Sequence, residues 1–76
     1  MREVEKTADG VDIVEGLRVW DNNLNRGVVH LPADYLRGDT EWFEVLVDMD
    51  SKGNPKSGWD LMDKTRVATR FDGVDA

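Results

Sequence analysis

No cysteine occurs among the 76 residues. That excludes a disulfide scaffold, a thiolate metal site and a thiol nucleophile, and it fits a cytosolic protein. Nor is there a run of about 18 apolar residues, the length a membrane-crossing helix needs, so no membrane partner and a cytoplasmic location are expected. The N-terminus, MREVEK, has no apolar stretch behind it and is not expected to act as a secretory signal. Histidine is limited to His30 and serine to Ser51 and Ser57. A catalytic triad needs an imidazole beside an activated hydroxyl and an orienting carboxylate. His30 instead falls in a strand with apolar neighbours, and both serines fall in a loop, so no enzyme activity is expected. The 7 glycines are scattered, and no strand, glycine-rich turn and helix unit for cradling phosphate is present.

Positive charge is also in short supply. Sixteen carboxylates stand against 10 Lys and Arg, for a formal charge of −6. Such a field repels a phosphate backbone and disfavours nucleic acid as a partner. Spread along the whole chain, the carboxylates read as a solubilising surface; the sharper alternative is an acidic inhibitor occupying a nucleic-acid enzyme. Asp48, Asp50 and Gly53 match the opening of a calcium loop, but Lys52, Pro55 and Trp59 fall where ligands or a bidentate Glu belong. Neither a metal nor any other cofactor is expected.

What the chain does hold is a strand. In residues 42–48, Phe43, Val45 and Val47 alternate with Trp42, Glu44 and Asp48, the period of a sheet with one face on a core. Leu46 interrupts the polar set, so that face is expected to be partly covered. Further strands are read at 17–20, 28–31, 59–62 and 66–71. The reversal or bulge between the first two falls within Asp21–Gly27, rich in Asn and Asp. Residues 33–40 form a connection anchored by Tyr35 and Leu36, and 50–58 a long mobile hairpin loop. Residues 1–10 are expected to be disordered or loosely docked, 11–71 to be the folded domain, and 72–76 a tail. Five short strands at this spacing predict an all-β chain closed into a small barrel. Its core is nominated as Val19, Val28, Phe43, Val45, Val47, Val67 and Phe71, with Leu61 or Met62 at one end.

The order Gly16-x-x-Val19, Gly27-Val28-Val29, Trp42-x-x-Val45-x-x-Asp48 and Arg66-Val67 resembles the SH3-like barrels of the Tudor, chromo-barrel and KOW kind. It is also similar to short proteins of actinobacteria and their phages. The likeness spans roughly residues 13–71 and implies a five-stranded fold. Tudor and chromo-barrel members bind methylated side chains in an aromatic cage, and KOW members bind RNA or ribosomal partners through basic loops. Neither activity transfers here: the chain is acidic, and its sequence completes no cage.

Three Trp in so short a chain are the better lead. Trp20 and Trp42 fall out of phase with the core faces of their strands. With Tyr35, and Arg18 as a polar rim, they are expected to form a partly exposed patch for a protein or peptide. The alternative is that these rings close the barrel ends. Trp59 is read as capping the core. A second site, for nucleic acid, would use Arg18, Arg66 and Arg70 beside the aromatics; the alternative is that they pair across strands with Glu44 or Asp48.

Overall fold

A computed structural model describes residues 2–76. It is all-β apart from one helical turn. Strands β1 (Arg18–Trp20), β2 (Arg26–His30), β3 (Phe43–Met49) and β4 (Pro55–Met62) form one antiparallel sheet in that order, and β5 (Arg70–Phe71) pairs with β6 (Val74–Asp75). Among the described residues the ladders give a four-stranded sheet and a two-stranded one, not a continuous closed ring of five strands. One bridge, Trp20 to Ala68, joins the free side of β1 to the chain after Val67.

β3 has the alternation expected of it. Phe43, Val45 and Val47 are buried, while Leu46 and Asp48 face outward. Val29 pairs with Val45, so the inward member of the Val28-Val29 pair is Val29, not Val28. A bulge between Arg26 and Gly27 sets that phase. Ile13, Val19, Val29, Tyr35, Phe43, Val45, Met62 and Val67 make one core cluster. Leu61 faces out and Met62 in, which resolves the choice at that end.

The remaining differences lie at turns. Residues 33–37 form a short helix, α1 (Ala33–Arg37), entered at Pro32 and closed by Gly38 in the left-handed region. Where a long loop was expected, β4 already begins at Pro55. The preceding reversal is tight because the Asp50 carboxylate accepts the N–H groups of Lys52 and Asn54, both at 2.9 Å. The expected strand at 66–71 is broken: the Asp9 carboxylate takes the Thr69 N–H at 3.0 Å and its hydroxyl at 2.6 Å. Beyond it the chain reverses at Asp72 and Gly73 into β6, so the expected tail is half of a hairpin and Phe71 is half exposed.

Met1, part of the segment expected to be loose, lies outside the described residues. Arg2 donates to the carbonyls of Tyr35 (2.7 Å) and Thr40 (2.5 Å) and to Glu5 (2.9 Å), with its guanidinium 4.3 Å above the Tyr35 ring. Glu5 accepts the Tyr35 hydroxyl at 2.7 Å, which, with the donors from Lys64 and Arg2, holds its pKa down against partial burial. Residues 5–13 double back through Ile13 N–H to Glu5 O, carrying Ile13 into the core.

Candidate functional site

The side chains nominated for a patch take separate places. Trp20 is 5% exposed: the β5–β6 hairpin covers it, Phe71 lies 5.7 Å away, Arg26 stacks at 4.4 Å, and its indole N–H donates to Val74 O at 2.9 Å. Tyr35 is 3% exposed and meets Phe43 edge-on at 5.4 Å. Burial, with Glu5 beside the hydroxyl, pushes its pKa upward. Both rings are core, which corrects the expectation of exposure. Trp42 remains 36% exposed, with Arg66 stacked 5.0 Å from its centroid.

The three arginines each have an acidic partner. Arg18 forks onto Asp48 at 2.7 and 3.1 Å, Arg66 lies 3.8 Å from Asp63, and Arg70 lies 3.3 Å from Asp75. Arg18 thus makes the cross-strand pair foreseen for it, while the other two pair locally. His30 sits 3.0 Å from Glu15 and 4.0 Å from Glu44, and Glu15 raises its pKa. Among the described residues no cluster of three or more His, Asp or Glu could hold a metal.

The outer face of the sheet carries an apolar row instead. Register places Arg18 opposite Val28, Val28 opposite Leu46, and Leu46 opposite Trp59. The adjoining row runs His30, Glu44, Leu61. Trp59 is 60% exposed, and Leu46 and Leu61 are close to half exposed. Trp59 therefore does not cap the core: alternation along β4 turns Asp60 and Met62 inward and sends Trp59 and Leu61 out. The sequence held a signal for this surface in the outward phase of Leu46 and the Trp59-x-Leu61 spacing.

A second feature lies around Trp20. A cleft of about 420 Å³ is lined by Trp20, Leu24, Phe71 and Arg66, with Asp21 at its wall. Asp21 is buried, and one of its oxygens accepts the N–H groups of Asn23 (2.9 Å) and Asn25 (3.0 Å). Burial, reinforced by neighbouring Asp60, pushes the Asp21 pKa up from 3.8 to about 6. Asp60 moves down, chiefly through a hydrogen bond from Asp21, so the pair holds its proton on Asp21.

A carboxyl that binds its proton more tightly when folded favours the native state at low pH. It loses that advantage as pH rises from its ordinary value through its folded one. Stability should therefore fall by roughly 1–3 kcal/mol between about pH 4 and 6 on account of this group. Asp21→Asn supplies a permanent donor to Asp60, so urea titrations across that range should show the decline removed and the variant more stable at pH 7. A variant less stable than the parent at pH 7 would refute the assignment.

No family model, curated protein or solved structure matches this chain.

Proposed function

We propose that this chain is a non-enzymatic interaction module that binds a protein or peptide through the exposed aromatic face of its sheet. The observation that carries the reading is Trp59: a large apolar ring, 60% exposed, in register with Leu46 and beside Leu61. Trp is enriched where binding energy concentrates, and an apolar group of this size adds about 1.5–3 kcal/mol when buried. Together with two half-exposed leucines this supplies at most about 5 kcal/mol, so recognition in the micromolar range, about 8 kcal/mol, draws on polar and backbone contacts as well. The paired Arg18 and Asp48 form one polar margin and Glu44 with His30 another. The scaffold is read as a small barrel of the SH3-like kind, with the Trp20–Ala68 bridge bringing the last segment back onto β1.

The test separates binding from folding. Trp59→Ala should leave thermal stability within about 1 kcal/mol, since the ring is mostly in water already. It should also abolish capture of the partner that the intact chain retains from its source lysate. Loss of fold, or capture undiminished, would overturn the reading.

A further inference from the structure

The backbone of β4 adds something the side chains do not. Val29 donates to Leu17 O and accepts from Gly16 N–H, both at 2.9 Å, so its polar groups face β1. In an antiparallel sheet these directions alternate residue by residue. Those of Val28 and His30 therefore face β3, and those of Glu44 and Leu46 face β2. Phe43, Val45 and Val47 turn toward β4 and meet Met62, Asp60 and Gly58. The N–H and C=O groups of Trp59 and Leu61 are left pointing away from the sheet, along an edge that no strand covers among the described residues. Unpaired edges are templates for strand pairing and are ordinarily blunted. Pro55, Lys56 and Gly58 (φ +143°) blunt the first half of β4, whereas in residues 59–62 the one such device is the inward-turned Asp60, a charge that a basic segment would neutralise.

We infer that this half of β4 takes up an added strand: an extended partner segment with apolar residues at alternate positions and Lys or Arg between them. The inference rests on the docking role proposed above and names its partner. An added strand's side chains fall alternately on the two faces of the sheet. On the outer face they meet Trp59 and Leu61. On the opposite face they meet Asp60, which is partly exposed, shares a hydrogen bond with Asp21 and lies 3.4 Å from the Asn25 side chain; Lys56 lies on the blunted half, donating to Asn25 at 3.0 Å. The formal charge of −6 favours the same basic partner and opposes a second copy of this chain.

The experiment titrates the isotope-labelled full chain with a capped peptide of alternating Lys and Val and follows amide exchange. Protection at Trp59 and Leu61 should rise about tenfold or more, while Gly58, Asp60 and Met62, already bonded to β3, should change little. Leu61→Pro removes an edge donor without touching the β3 ladder, and should weaken binding about tenfold. A peptide methylated on its strand-facing nitrogens should bind at least as poorly to the unaltered chain, which covers the case of a variant that fails to fold. Equal binding by the methylated peptide, or by an alternating Glu and Val peptide, would overturn the inference. So would protection at Trp59 and Leu61 that rises with protein concentration alone, the mark of pairing between copies. A lysate partner lost with Trp59→Ala but kept by a folded Leu61→Pro would leave the docking face standing and remove strand addition.

Discussion

Trp20→Ala should destabilise this domain severely. Although it alternates away from Val19, the ring is almost fully buried because the β5–β6 hairpin folds over it. Removing it deletes the Phe71 contact, the stacked Arg26 and the hydrogen bond to Val74 O together. Truncation of a buried Trp costs about 3–5 kcal/mol, and a whole domain holds only about 5–15. The melting midpoint should drop by about 15 °C or more. Exchange protection should vanish first at Ala68, whose N–H and C=O pair with Trp20. Trp20→Phe keeps most of the apolar volume and should recover more than half of the loss. A folded Trp20→Ala with a near-parental midpoint would restore the ring to the exposed patch first expected of it.

β3 could be read from sequence because its two faces differ in chemistry: Phe43, Val45 and Val47 have only a core to go to. Val28-Val29 offered no such contrast. Either valine could face inward, and the choice fell to a bulge at Arg26 whose cause lies in the pairing with β3. Residues 50–58 look like a loop by composition, yet one carboxylate, Asp50, shortens the turn and frees Pro55 onward for the ladder. The Asp9 clasp on Thr69, which breaks the last strand, joins residues 60 apart in sequence and leaves no local mark.

Which aromatic side chains stand exposed is not legible from strand phase. Aromatic abundance favours a docking role, but strand phase does not decide exposure. Phase decides only which face a side chain leaves from; what covers that face is a long-range matter. Trp20 leaves from the outer phase and is covered by residues 70–75, whereas Trp59 leaves from the same phase on an edge strand and is not. Leu46 was the useful anomaly, because an apolar residue on a polar face signals a neighbour of its own kind, and here that neighbour is Trp59.

Gly27→Ala makes a comparable demand on the fold from the opposite direction, by adding one carbon. Gly27 lies in β2 beside the bulge, paired with Val19 on one side and Val47 on the other. A methyl built there would sit 2.1 Å from the Leu46 carbonyl oxygen and 2.9 Å from the Val47 Cα. Both are backbone atoms of the central strand, so no side-chain rotation relieves the clash. Either β2 and β3 separate locally or the bulge moves, and a shift of one residue would turn Val29 out of the core and Val28 into it. Overpacking of this kind costs about 1–3 kcal/mol where side chains can yield, and the rigid neighbours here place the expected loss at about 3 kcal/mol or more. Urea unfolding should show the loss, and exchange should locate it at Val28 and Leu46, the hydrogen-bonded pair beside the added methyl. A variant within about 1 kcal/mol of the parent, with those two amides still protected, would mean that β2 and β3 do not approach as closely as this bulge requires.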